Sequence, residues 1–246
     1  MRKTHIWAFC ISLLWAVTLF SQEIESELLY ESPLDTIVSA PKTPLTLRVG
    51  VDLYRPIRSR FDDTFQGIEW AGDLLFRKNT FIAMELGSVE VTKQTEQVNS
   101  TTSGSYQKLG LELNLYENWE GMNNHVTLGF RIARSSFSQT LNSYTILDRT
   151  PFWVGYDEPV ENGFSTGLRE NLNALWVEAV LGFKVQLFKN IYLGLGLRLH
   201  RLVNNTQPEN FDNIYIPGFN RKTDENKFGA SVNYTLSYSL PFRFSK

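Results

Sequence analysis

Hydrolytic and acyl-transfer chemistry needs a nucleophile within reach of a general base. This chain has few bases to offer. It holds three histidines and one cysteine in 246 residues. His5 and Cys10 fall in an apolar N-terminal stretch, which leaves His125 and His200. His125 follows Asn123-Asn124 and reads as a solvated turn residue. His200 stands near Arg198 and Arg201, and sequence alone ties no serine or carboxylate to it. A hydrolase or acyltransferase site near His200 is therefore the alternative, and a non-enzymatic protein is the leading expectation. Two dispersed histidines and no thiolate predict neither a zinc site nor a cofactor. No catalytic residue is assigned.

The carboxylates carry a second kind of chemistry. Asp52, Glu69, Asp73, Glu85, Glu112 and Glu178 recur at one parity of an alternating pattern. Paired carboxylates are the machinery of glycoside hydrolysis. The same parity also carries Arg48, Lys108, Arg131, Lys184 and Arg198. Acids and bases facing one interior must pair, because an isolated buried charge is costly. The eleven residues are thus expected to form a structural charge network.

The elements that hold them are strands. From residue 45 the chain alternates apolar and polar with a period of two. Leu109, Leu111, Leu113 and Leu115 oppose Lys108, Gly110, Glu112 and Asn114; Ile191, Leu193, Leu195, Leu197 and Leu199 oppose Tyr192, Gly194, Gly196, Arg198 and His200. Eight such segments occur. In the third, parity shifts at Val89 and Val91, which predicts a bulge. Arg77-Lys78-Asn79, 117–124 and Lys189-Asn190 read as the shorter connections, whereas 55–66, 95–105, 137–172 and 201–226 read as long polar loops. Short and long alternate, as in an antiparallel meander with all short turns at one end. The stretch 137–172 leaves room for a further hairpin and hence ten strands.

Which face is buried decides the class. A soluble lipocalin-like binder would put the apolar parity inside, and this is a second alternative. A membrane barrel inverts it. The polar faces are rich in Gly, Ser, Ala and Thr, which suits a narrow eight-stranded interior. Aromatic residues near strand ends, including Tyr54, Phe76, Tyr116, Phe137, Trp176 and Phe188, suit headgroup girdles. Composition had concealed this. At 42% hydrophobic, 20% charged and mean hydropathy −0.22, the chain averages like a soluble protein. With 24 basic against 26 acidic residues it is no nucleic-acid binder.

Residues 1–21 (MRKTHIWAFCISLLWAVTLFS) combine Arg2 and Lys3 with an apolar core too short to span comfortably, and so read as a signal peptide. Residues 22–44, acidic and proline-punctuated, read as a mobile periplasmic tail. Residues 45–246 form the predicted barrel. Tyr215-Ile216-Pro217-Gly218-Phe219 reads as a turn in the last outer loop and as a candidate recognition loop. Outer-membrane lipid and the barrel-assembly machinery are the expected partners, with an unidentified envelope protein beside them. The expected role is scaffold, surface interaction or envelope accessory around a closed polar lumen.

Several segments together carry a resemblance. They are Glu85-Leu86-Gly87, Leu128-Gly129-Phe130-Arg131, Trp176 to His200, Tyr215 to Phe219 and Phe228 to Phe242. Over roughly residues 45–244 the chain resembles a domain-of-unknown-function family of small outer-membrane barrels from Bacteroidota. The resemblance implies an outer-membrane location and an eight-stranded antiparallel transmembrane β-barrel. It implies no activity and carries over no functional residue. Phe244 is followed by Ser245 and Lys246, a departure from the terminal aromatic that assembly machinery often reads.

Overall fold

The computed structural model describes residues 45–118, 122–145, 166–208, 212–221 and 227–242. The predicted signal peptide and tail lie outside these residues. Eight antiparallel strands close into a barrel: β1 (Leu45–Asp52), β2 (Phe65–Arg77), β3 (Thr80–Gln94), β4 (Val98–Asn114), β5 (His125–Tyr144), β6 (Gly167–Phe188), β7 (Ile191–Asn205) and β10 (Phe228–Phe242). β1 pairs with β10 and closes the ring. The small hairpin of β8 (Tyr215–Ile216) and β9 (Asn220–Arg221) stands outside that sheet. Because β5 pairs directly with β6, no strand from the loop between them can enter the ring. Eight strands is therefore the count, not ten.

The turns follow local chemistry. Lys78-Asn79 and Lys189-Asn190 are two-residue hairpin loops, with Asn79 at φ 64° and Asn190 at φ 67°. Asparagine tolerates this left-handed region, and register shifts at Leu75/Arg77 and Gln186/Phe188 mark a bulge beside each turn. Asn118 closes the third turn, accepting from the Asn124 backbone N–H at 2.6 Å and donating to its carbonyl at 2.8 Å.

Three predicted features differ. First, the segment 55–66 is not all loop: Tyr54–Phe61 form a helix, α1. Pro56 sits in its first turn, where a missing N–H costs nothing. The helix buries no residue, and its apolar Tyr54, Ile57 and Phe61 share one face at helical spacing but stay exposed. Second, the strands run further at the long-loop end. β3 and β4 are joined by only three residues, 95–97, where 95–105 had read as loop. The Ser/Thr-rich run Asn99 to Ser105 is polar but still alternates, with Ser100 and Thr102 buried. Third, there is no bulge at Val89. The β3–β4 register is continuous from Thr80↔Leu113 to Gln94↔Asn99. Val89 and Val91 point inward, in parity with Phe81, Ala83 and Glu85. What changes there is the chemistry of the interior, not the pleat.

The barrel thus has two levels. At the short-turn level the outward parity is apolar and exposed: Leu109 is 58% exposed, Leu111 56%, Phe130 54% and Leu199 66%. The inward parity there is charged. At the long-loop level the outward parity of β4 and β5 turns polar (Ser103, Ser105, Gln107, Arg134, Ser136), whereas Leu175, Val203 and Phe228 keep it apolar on β6, β7 and β10, and the inward parity turns largely apolar. Phe65, Val89, Val91, Tyr106, Phe137, Leu172, Trp176 and Leu202 form that upper core. Trp176 and Phe137, expected in a lipid girdle, are inside it. Phe76 and Phe188 stay exposed at the short turns.

Candidate functional site

Register places the charges opposite one another. Arg48 faces Asp73 across β1–β2, Glu85 faces Lys108 across β3–β4, and Arg131 faces Glu178 across β5–β6. Glycines opposite long side chains leave them room. Gly110 is the ladder partner of Arg131, whose side chain lies over it.

Ten of the eleven predicted residues join directly into one network, and Asp52 is tied to it only through a residue outside the eleven. Arg48 Nε donates to Asp73 at 2.5 Å, and Lys184 Nζ donates to both Asp73 (2.8 Å) and Glu112 (2.9 Å). Arg131 bridges Glu112 and Glu85. Arg198 donates to Glu85 at 2.7 Å and lies 3.6 Å from Glu69. Lys108 links Glu85 (3.6 Å) to Glu178 (3.0 Å). Asp52 accepts from the Tyr234 backbone N–H at 3.1 Å. Within this mesh a void of about 50 Å³ remains, enough for ordered water among polar partners.

Sequence reading missed one member. Arg55 on α1 reaches down to Glu69 (3.1 Å) and Asp52 (3.4 Å). Adding it gives six bases against six acids, so the described network is neutral. Burial pulls the Arg55 pKa down, but Glu69, Tyr106 and Asp52 outweigh it and raise it above its ordinary value. Only the helix brings Arg55 there; a loop reading offered no face on which to place it.

Tyr106 is the joint between the two levels. Its hydroxyl donates to Glu69 at 2.5 Å. Its ring lies over Gly87, its ladder partner in β3, and beneath Gly218. Gly218 has φ 82° and no room for a Cβ against that ring. The candidate recognition loop is therefore not a displayed surface. Tyr215, Ile216, Pro217, Gly218 and Phe219 are all buried, Ile216 completely. They turn into the barrel mouth because their apolar side chains find the upper core there. Phe219 packs on Trp176 at 5.9 Å and on His200 at 5.7 Å between ring centroids. Gln139 fixes the loop, accepting from the Ile214 N–H at 3.1 Å and donating to the Asp212 carbonyl at 3.2 Å. Burial raises the Tyr215 hydroxyl pKa, so it stays neutral.

Both histidines sit otherwise than expected. His125 opens β5, with its ring 5.5 Å from Phe81 and 6.1 Å from Tyr192. Arg48 lies over the same two aromatic rings. His200 is buried, beside a serine and a carboxylate that sequence could not tie to it. Its Nε2 lies 2.9 Å from Ser231 Oγ, and its Nδ1 lies 3.1 Å from Glu178 Oε1. Trp176 Nε1 donates to the same Glu178 oxygen at 2.7 Å. Only the β6–β7–β10 pairing brings these residues together.

A family model described as a domain of unknown function, DUF6048, matches residues 3–244. The chain belongs to that family. The DUF6048 match takes in the whole described barrel and also the segment before β1. Comparison with curated proteins yields no match. Among solved structures, the crystal structure of Acinetobacter baumannii CarO2 aligns with a TM-score of 0.36 and 9% identity, over 80% of this chain and 98% of that one. That likeness is too slight to define a shared fold.

Proposed function

We propose that this DUF6048 protein is a closed outer-membrane β-barrel, carried by lipid at its short-turn level and exposed to the outside at its long-loop level. One observation carries the reading. The outward parity is apolar around the short-turn level, while the inward parity at the same level is charged and paired. In water that arrangement would expose a contiguous apolar belt far beyond what a monomer tolerates. In lipid it is the stable one, since closure of β1 on residues 235–242 of β10 pairs the strands at this level on both sides. A soluble lipocalin-like binder would need the opposite faces there. The barrel body then serves as a scaffold, holding its outer rim for surface interaction or for an accessory role beside an envelope partner. Export through residues 1–21, a Bacteroidota source and handling by the barrel-assembly machinery belong to the same proposal.

The lumen does not conduct in this reading, because the salt-bridged mesh fills one level and the 215–219 loop fills the other. Carbonate washing of membranes and heat-modifiable gel mobility test the location. The protein is expected in the membrane pellet, with faster mobility before boiling. Recovery in the soluble fraction would reject the reading. Large, stable conductance in planar bilayers would reject the closed lumen.

A further inference from the structure

We propose that Ser231, His200 and Glu178 form a serine-hydrolase site at the outer end of the barrel, acting on carboxylic esters of an anionic amphiphile. This goes beyond the scaffold role. The ester chemistry rests on local geometry, and only the amphiphilic substrate class rests on the membrane reading.

The three groups stand in the order that acyl transfer requires, nucleophile to base to orienting carboxylate. Nε2 of His200 is hydrogen-bonded to Ser231 Oγ at 2.9 Å, and Nδ1 lies in ion-pair range of Glu178 at 3.1 Å without an aligned hydrogen bond, as is common before substrate binds. The arrangement is built into the sheet. Glu178 is the ladder partner of His200 across β6–β7. His200 is the ladder partner of Gly229 across β7–β10, and Ser231 is the next residue on that face of β10. Gly229 presents no side chain to the imidazole. Glu178 is itself held by Trp176 and by Lys108.

Ser231 also opens on a place where substrate can lie. β1 stops at Asp52, paired with Thr235, so residues 228–234 of β10 have a strand neighbour on one side only. α1 stands in the breach, and Leu53 N–H donates to the Tyr234 carbonyl at 2.7 Å. A cleft of about 430 Å³ remains there, lined by Ser231 together with Arg55, Arg58, Arg198, Val232 and Tyr234. Val232 and Tyr234 belong to the outward apolar wall, whereas the arginines belong to the interior and to α1. The cleft therefore offers cationic groups to a head and an apolar wall to a chain. A merely structural serine–histidine contact would not need such an opening.

The reaction balances with water as the second reactant. Ser231 Oγ bonds to the ester carbonyl carbon as its proton passes to His200 Nε2. The carbonyl electron pair moves to oxygen. Arg198, the ladder partner of Ser231, lines the same cleft and supplies positive charge. Collapse breaks the ester C–O bond, and the departing alcohol oxygen takes the proton from Nε2. Water then repeats the sequence, restoring Ser231 and releasing the carboxylic acid.

The test uses the full protein folded in detergent, with heat-modifiable mobility as the folding control. A fluorophosphonate probe should label the wild type, with the adduct mapped to Ser231 by mass spectrometry. Hydrolysis of p-nitrophenyl butyrate should fall about 100-fold or more in Ser231→Ala. Glu178→Gln should lower kcat with little change in KM. A purely structural Glu178 would lower the folded fraction and leave kcat per folded molecule unchanged. Folded wild type that takes no label overturns the proposal without recourse to any variant. So does Ser231→Ala hydrolysing at the parent rate. Recovery of the protein in the soluble fraction would defeat the membrane reading and leave the Ser231 label unaffected.

Discussion

Glu85 is the residue on which the charge network converges. It meets Lys108, Arg131 and Arg198, all buried. Glu85→Gln keeps the shape and removes the charge, leaving three buried cations short of a partner. Breaking such a pair costs about 3–5 kcal/mol, so the urea midpoint of the heat-modifiable form should fall by that equivalent. Glu90→Gln on the exposed face of the same strand should change it by about 0.5 kcal/mol or less. Outside the barrel wall, Asp62 accepts from Thr64 and pairs with Arg58. These partners hold its carboxyl below the ordinary 3.8. A depressed folded pKa means that its contribution is present above the unfolded value and is lost as pH falls through the folded one. An NMR titration of Asp62 should therefore show a midpoint below 3.8. At this scale the sequence was informative about eleven charges, since inward parity alone selects them. It was silent on Arg55, because Tyr54, Ile57 and Phe61 give a two-turn helix too short an apolar stripe to stand out from a polar loop. It was silent on the His200 contacts as well, because they depend on three strands far apart in the chain.

The 212–221 segment is an element with a structural task. It seals the mouth by packing Phe219 on Trp176 and His200, and by seating Gly218 on Tyr106. Trp176→Ala removes the floor of that packing and leaves a cavity costing about 3–5 kcal/mol. Chymotrypsin should then cut at Tyr215 or Phe219 in the folded, detergent-solubilised variant and leave the parent intact there. Planar-bilayer conductance of the same variant should stay closed, because Glu178 loses one donor but keeps Lys108 and the salt bridges below remain. Gly218→Val should expose the same sites, since it combines a φ of 82° with a clash on Tyr106. The loop's apolar residues were visible in the sequence, but the direction they turn was not. A Tyr-Ile-Pro-Gly-Phe run reads equally as a displayed turn or as a plug, and only the upper core distinguishes the two.

On its β4–β5 side the barrel inverts its amphipathicity along the axis, while β6, β7 and β10 stay apolar outward. Period-two alternation made the strands and their count legible, because the pleat fixes parity regardless of what each parity carries. It misled where one parity was assumed to keep one chemistry. Val89 and Val91 looked like a register shift, yet they mark the level at which the interior passes from charged to apolar. Trp176 looked like a girdle residue for the same reason. β4 crosses both levels, with Leu113, Leu111 and Leu109 outward below and Gln107, Ser105 and Ser103 outward above. Nitroxide labels at these six positions, one per variant, can be read in lipid vesicles by collision with oxygen and with a water-soluble nickel chelate. The membrane account predicts oxygen access and nickel exclusion at 109, 111 and 113, reversing to nickel access at 103, 105 and 107. Nickel access at 109, 111 and 113, equal to that at the upper positions, would contradict it.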